Sequence, residues 1–288
     1  MAAVYKEYNP ETLKKLQKIE LDMLKDFDHL CEINGIDYFC WAGTAIGVLR
    51  HGGFIPWDDD IDIGLLRPDY EKLLKCIADQ MGDKYDLLNT KNDPTYPLMT
   101  TRMVLRGTRF QEECFKNLSC NFGIFLDLYC FDYVPDKERI RKKECLSFWI
   151  KSKLMILCAI GDPVLYFTGV KGAIVRFGCQ SIHALLKALS IQPVVFYNSI
   201  EKKLKDHRFP TARIAFQFDT KLHSALFEMN DVFPTKRMAF EDISIRCPAQ
   251  IKKITKRDYG DFMKLPPPDQ RHNHPPYDLS FGEYDTMQ

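Results

Sequence analysis

Apolar residues recur at Leu13, Leu16, Ile19, Met23 and Phe27, one side of a helix with 3.6 residues per turn. Asn9-Pro10 in front of them is a helix-start pair, and Gly35 behind them is a stop. Tyr38 to Trp41 then reads as a short apolar strand running into Gly43-Thr44. "AIGVLRHGG" predicts a helical turn or short helix, closed by Gly52-Gly53. Beyond Pro56, aspartates alternate with isoleucines from Asp60 to Leu65, the period of a half-buried strand. "RPDYEKLLKCIADQMG" predicts a second amphipathic helix that stops at Gly82. "YDLLN", "LMTTRMVLRG" and "GIFLDLYCFDYV" are further β-like runs, the last carrying Asp127 among Phe125, Leu126, Leu128 and Tyr129. The chain from Lys137 to about Arg208 is helix-rich and amphipathic. "RMAFEDISIRCP" predicts a hairpin, Met238 to Phe240 and Ile243 to Arg246, turning at Glu241-Asp242. A short helix, a Pro-rich basic segment and a loosely held end, Tyr277 to Gln288, complete the chain.

This order predicts an α+β protein with a mixed β-sheet core, flanking helices and a helical insertion or subdomain. The expected division is a catalytic core over residues 1–136, a helical subdomain over 137–208, and a segment 209–288 that completes the core. The length, 288 residues, allows a sizeable core. A net charge of +1 gives no nucleic-acid footprint. The ten cysteines form no CxxC pairs and sit mostly in apolar surroundings, which predicts reduced, buried thiols in a cytoplasmic protein. "MAAVYKEYNPETLKK" has no apolar leader segment. No run of about 18 apolar residues predicts a membrane-spanning helix.

The run "FIPWDDDIDIGL" changes the picture. Asp60 and Asp62, separated by one apolar residue, point to the same side of a strand, and Asp58 joins them if the extended geometry reaches back. Ile61 and Ile63 then face the core. Carboxylates this close cost free energy unless a cation lies between them, and the cation that suits carboxylate and phosphate oxygens is Mg2+ or Mn2+. The plainer reading is a solvated acidic turn after Pro56-Trp57, against which the apolar alternation counts. A calcium loop is partly mimicked by Asp58, Asp60, Asp62 and Gly64, but the expected bidentate Glu near Pro68–Asp69 is absent. Upstream, the backbone N–H groups of Gly43-Thr44 and the Thr44 hydroxyl can hold a phosphate. A phosphate cradle beside a divalent-cation site is the minimum kit for attack at a nucleotide's phosphorus.

"GTAIGVLRHGGFIPWDDDIDIGLLRPDYEKLL" resembles the central motif of the LicD/fukutin family, within the nucleotidyltransferase-fold superfamily. The resemblance implies a nucleotidyltransferase-like mixed sheet. Gly43-Thr44 match the superfamily's Gly-Ser or Gly-Thr turn, and Asp60-Ile61-Asp62 its acidic-apolar-acidic strand. "FGIFLDLYCFDYVP" resembles the later strand, which makes Asp127 the third carboxylate and matches Asp132 to the acidic residue before the following turn. "DVFPTKRMAFED" and "YGDFMKLPPPDQRHNH" are similar to the C-terminal motifs, with Gly260, Lys264, Pro266, Pro267 and His272 on matching places. Two departures stand out. "TRMVLRGTRF" supplies Arg102 for a basic position but lacks the acidic residue that follows it, and Asp242 replaces a Gly in the family's "FEG" turn.

The family's enzymes resemble cholinephosphotransferases, which move a phosphorylated alcohol from a CDP-linked donor such as CDP-choline to a sugar hydroxyl and release CMP. The resemblance implies Asp60 and Asp62 as Mg2+ ligands, Asp58 as a ligand or neighbour of one, and Asp127 as a further ligand or proton acceptor. Gly43, Thr44 and Arg50 would hold phosphate oxygens. Arg50-His51 reads either as a direct phosphate contact or as a positive helix end that compensates the acidic run. Trp57 stacks on a base or plugs the core. Arg102 reaches phosphate or pairs with a structural carboxylate. Lys264 and His272 sit in a segment able to fold over a diphosphate, although His272 alone reads as a surface histidine. Asp269, Arg271, His272 and His274 lack cysteine partners at zinc-ligand spacing.

The stretch Leu154 to Leu189 reads either as ordinary helical core or as an interfacial surface that meets a lipid-linked glycan at the inner face of the cytoplasmic membrane. Three functions remain in view: a phospho-alcohol transferase, a nucleotidyltransferase that leaves NMP on a hydroxyl, and a non-catalytic glycan- or nucleotide-binding protein of the same fold.

Overall fold

The computed structural model describes residues 7–163, 169–204, 210–219 and 224–286. The parts of the predicted helical stretch at 164–168 and 205–208, and the last two residues, lie outside the described residues.

Helix α1 (Pro10–Ile33) starts where Asn9 accepts hydrogen bonds from the backbone N–H of Glu11 and Thr12, at 2.9 and 3.3 Å. Its buried side carries the predicted apolar residues and also Glu20. Asn34 follows, and Gly35 turns the chain at φ 57°. Strand β1 (Phe39–Cys40) leads to α2 (Ala42–Arg50), then β2 (Asp62–Leu66) and α3 (Arg67–Gln80). Strands β3 (Tyr85–Leu88), β4 (Thr101–Leu105), β5 (Arg109–Glu112) and β6 (Phe125–Tyr133) follow. Helices α4 (Glu138–Ala159), α5 (Gly169–Ala188) and α6 (Pro193–Leu204) form the helical stretch. The chain returns through β7 (Arg213–Ala215), β8 (Leu226–Glu228), α7 (Met229–Val232), β9 (Lys236–Phe240), β10 (Ile243–Cys247), α8 (Ile251–Tyr259) and β11 (Pro276–Ser280).

The main sheet is mixed. Its path is β1-β2-β6-β4-β3, with β7 and β8 added through β6. Strands β2 and β6 are parallel, and their neighbours pair antiparallel. Strand β6 is nine residues long and buried along most of its length, so it is the spine on which both halves of the chain meet. One core packs α1 and α3 against β2, β3, β4 and β6. A second, aromatic core joins Phe39, Trp41, Phe131, Phe216 and Phe227 to Phe148 of α4 and Tyr197 and Ile200 of α6. Trp41 meets Tyr129 edge-on at 4.8 Å and Phe131 at 5.3 Å. Arg67, at the start of α3, pairs with Asp132 of β6 and with Glu201 of α6 at 3.1 Å. These packing and ionic contacts tie the helical stretch to the sheet.

Two expectations change. The aspartate strand begins at Asp62 rather than Asp60, because the regular ladder to β6 starts only there. Before it, Ile61 O still accepts the Asp127 N–H at 3.0 Å. The end of the chain is not loose over 276–280: β11 pairs antiparallel with β5. The predicted hairpin forms as β9 and β10, and its turn has a further task, since Glu241 accepts the Phe54 N–H at 2.9 Å and donates its own N–H to Gly52 O at 2.7 Å.

Gly64, in the middle of β2, leaves room for the rings of two neighbouring strands. A Cβ there would lie 2.4 Å from two ring carbons of Phe39 and 3.0 Å from one of Phe131. Both rings are fully buried and have no way to retreat. Gly64→Ala is expected to cost about 1–3 kcal/mol of stability, read as a lowered urea midpoint with an unchanged slope.

Candidate metal and phosphate site

Asp62 of β2 stands opposite Asp127 of β6 in the parallel register. Asp60 reaches the same point from the irregular segment before β2. Carboxylate oxygens of Asp60, Asp62 and Asp127 all lie within 4.8 Å of one another, and all three residues are buried. Backbone geometry holds them there. Thr44 Oγ1, in the first turn of α2, accepts the Asp62 N–H at 2.8 Å, and Trp41 N–H donates to Asp62 O at 3.1 Å. The Thr44 hydroxyl therefore positions β2 beside the N-terminus of α2. Asp58 Oδ2 lies 2.8 Å from where a Cβ on Gly43 would be, so Gly43 is what lets this carboxylate approach the helix start.

The charge balance is lopsided. Glu20, Asp58, Asp60, Asp62 and Asp127 are all held above the ordinary carboxylate range, in each case first by burial. Mutual repulsion adds to it: Asp59 and Asp60 raise Glu20, and Asp60 and Asp127 raise Asp62. Asp60 is pushed up to about 6. Counter-charges come from two residues. Arg102 is buried and bonds Asp127 at 3.2 Å and Glu112 at 2.5 Å, with Phe125 under its guanidinium at 3.7 Å. His274 Nδ1 lies 3.3 Å from Asp60 and 3.4 Å from Asp59. Burial alone would lower the His274 pKa, but the carboxylates of Asp60 and Asp59 more than offset this and hold it well above the usual value. The Tyr129 side chain hydrogen-bonds Asp62 and lowers its proton affinity.

Other predicted residues are placed differently. Of the two readings of Arg102, the structure has the ion pair: its bonds go to carboxylates. Arg50 Nη1 donates to Phe262 O at 2.7 Å and its Nε bonds His51 Nε2 at 2.9 Å, so this pair ties the end of α2 to the segment after α8. Trp57 is core, packed with Ile46, Ile55 and Phe262. Lys264 and His272 are exposed. The histidine brought to the carboxylates is His274.

Four residues escape the sequence reading. Asp59 is fully buried and is an anchor: it accepts the Tyr8 hydroxyl at 2.5 Å and the His274 backbone N–H at 2.8 and 2.9 Å. Its odd place in the alternation, opposite in parity to Asp58, Asp60 and Asp62, was the available signal. Glu112 supplies an acidic partner for Arg102 from β5, ten residues away. Glu20 looks like one polar residue on an amphipathic helix, yet its Oε2 is buried without a hydrogen-bond partner. Arg271 lies over the Trp57 ring at 4.2 Å with a buried, unpartnered Nε, and Arg50 lies 5.7 Å from the same ring.

A buried all-oxygen carboxylate set with too little positive charge fits a hard divalent cation. Among proteins of known sequence, residues 35–119 match the family model described as "LicD/FKTN/FKRP, nucleotidyltransferase domain". This range holds Gly43, Thr44 and the aspartate run and ends before Asp127. Over residues 35–119 the chain is therefore similar to the nucleotidyltransferase domain of the LicD/fukutin family. It is similar to the lipopolysaccharide cholinephosphotransferase LicD of Haemophilus influenzae, 29% identical over 155 residues, which cover 49% of this chain and 57% of that protein. An uncharacterized protein of Rickettsia prowazekii is 41% identical over 79 residues, covering 27% of this chain and 29% of that protein. One of Rickettsia typhi is 40% identical over 67 residues, covering 23% and 21%. The chain thus spans little more than half of the longest-matched relative and less than a third of the others.

The raised carboxyl groups set a pH dependence. The folded-state pKa of Asp60, about 6, lies above its ordinary 3.8, so the folded protein binds this proton more tightly than the unfolded chain. Its contribution to stability is full below about 3.8 and is lost as pH rises through about 6. Mn2+ is therefore expected to raise the melting temperature clearly at about pH 7.5 and much less at about pH 5, where protons compete for the same oxygens. Equal shifts at both pH values in a thermal melt would contradict a carboxylate-bound ion.

Proposed function

We propose that this chain is a divalent-metal-dependent transferase on a nucleotidyltransferase-like core. It moves a phosphorylated alcohol, phosphocholine first among them, from a CDP-linked donor to a sugar hydroxyl of a cell-surface glycan or its precursor, and CMP leaves. The observation that carries this reading is the convergence of Asp60, Asp62 and Asp127 on one buried point. The printed activity of the Haemophilus relative supports phosphocholine as the group moved. The reading carries with it a cytoplasmic site of action, at the inner face of the membrane where lipid-linked acceptors are met.

Asp60, Asp62 and Asp127 would hold Mg2+ or Mn2+, which would supply Lewis-acid polarisation of the donor's phosphoryl oxygens and offset charge on the departing nucleotide. The chain's own groups do the rest. Thr44 and Gly43 keep β2 and the start of α2 in register, and Asp58 borders that turn. Asp127 either completes the metal site or accepts the proton of the attacking hydroxyl. Arg102 fixes its orientation. Arg271 and Arg50, grouped on Trp57, give the donor diphosphate a cationic wall beside the acidic centre. The strap that carries Arg271 is docked by the His274–Asp59 hydrogen bonds.

A nucleotidyl transfer would use the same carboxylates, and the description of the matching domain favours keeping it as a second reading. The two differ in which half of the donor stays on the acceptor. Incubation with Mg2+ and a panel of CDP-alcohols, with mass spectrometry of CMP and of the product, separates them. Asp62→Asn is expected to lower turnover about a thousandfold, the equivalent of several kcal/mol of lost transition-state stabilisation. Unchanged turnover would remove the catalytic reading.

Arg271→Gln is expected to raise KM for the donor about tenfold with a smaller change in kcat, the scale of one charge-assisted hydrogen bond. Arg271→Lys should fall between. Steady-state kinetics checks this, and an unaltered KM in both variants would take Arg271 out of the site.

A further inference from the structure

Helices α4, α5 and α6 carry charge that the rest of the chain lacks. Together they hold eleven Lys and Arg against three Asp and Glu, while the whole chain has 40 against 39. Helix α5 contains Lys171, Arg176 and Lys187 and no acidic residue. Between α4 and α6 runs a groove of about 900 Å³ whose lining includes Arg139, Lys143, Lys151, Lys202 and Lys203, with Glu144 the one acidic side chain among its lining residues.

Helix α5 also shows an apolar stripe that is exposed among the described residues. One side of the helix is spent on its neighbour: Gly172 and Leu186 are buried, and His183 Nδ1 lies 2.8 Å from Leu157 O of α4. The other side exposes Val170, Ile174, Phe177, Leu185 and, just past the helix, Leu189. Phe177 is 72% exposed and Ile174 67%. Spacings of three, four and eight residues keep all five within a sector of about 120°, a continuous stripe rather than scattered exposure.

We infer that the helical stretch docks peripherally on an anionic lipid bilayer, with the α5 stripe at headgroup depth and lysines and arginines of α4, α5 and α6 drawn to the lipid phosphates and carboxylates. The pairing of an acid-free cationic helix with an aliphatic stripe is what an interfacial surface needs. A nucleic acid would leave Val170, Ile174, Leu185 and Leu189 uncovered, because it offers no aliphatic partner. A second copy would bring one strongly cationic face against another. No helix among the described residues is long and apolar enough to cross a membrane. The inference stands apart from the catalytic reading and does not need it.

The test is flotation of the full chain with vesicles of phosphatidylcholine alone and with about a third phosphatidylserine, in low and high salt. Wild-type protein is expected to float with the anionic vesicles only, and less as salt screens the contact. Ile174→Asp with Phe177→Asp is expected to lower partitioning tenfold or more, about the value of one buried apolar side chain. Lys143→Glu with Lys202→Glu should lower it several-fold while leaving CMP release in solution unchanged. This second pair decides the matter if the first does not fold, as judged by circular dichroism. No flotation of the wild type, equal flotation with neutral vesicles, or variants that float like the wild type would overturn the inference. So would light scattering that shows a dimer dissociated by Ile174→Asp with Phe177→Asp.

Discussion

Three carboxylates in one buried place repel each other, and the surrounding structure is arranged to hold them there. The parallel pairing of β2 with β6 sets Asp62 directly opposite Asp127, and the chain before β2 folds Asp60 onto the same point. Neither strand can slip by one residue without turning these side chains into the core and the isoleucines out. Thr44, Tyr129, Arg102 and His274 each hold one member of the group by a hydrogen bond or a charge. Their positive charge does not match the acidic charge of the cluster. That surplus is a cost to the folded protein at neutral pH, and a divalent ion relieves it. The same surplus is what the proposed polyphosphate chemistry would use.

Asp59 shows how a neighbour of the site can have a different task. Its carboxylate, within 4.8 Å of Asp60 and His274, gathers the two ends of the chain: Tyr8 from before α1, and the backbone of His274 from after α8. Strand β11 on β5 and Lys15 on Asp285, at 2.7 Å, hold the same segment further along. The C-terminal strap is thus a built wall of the site. It brings His274 to the aspartates and lays Arg271 on Trp57.

Much of this was legible in the chain. The periodicity of Leu13 to Phe27, the alternation through Asp62 and Ile63, the long apolar run around Asp127 and the Glu241-Asp242 hairpin all reflect contacts close in sequence, where residue type and spacing carry the information. The strand start at Asp62 was misplaced by two residues, because a regular ladder depends on partners from β1 and β6 that the local pattern does not reveal. Arg102 had two readings until Glu112 and Asp127 were seen on either side of it. Glu112 lies on β5, beyond a turn, and nothing in its own neighbourhood marks it. His272 and His274 are two residues apart in the same Pro-rich segment, and only the docking onto Asp59 decides which one meets the carboxylates.

The sequence by itself determined the acidic-apolar alternation, the glycine and threonine before it and the cationic, acid-free character of α5. These are properties of consecutive side chains and of backbone preference, complete within a few residues. Tertiary structure decided which carboxylates share a point, which cation neutralises Asp127, and which stretch of the C-terminal strap closes the site. Those outcomes depend on strand register and on packing between segments more than two hundred residues apart, where no local periodicity reaches.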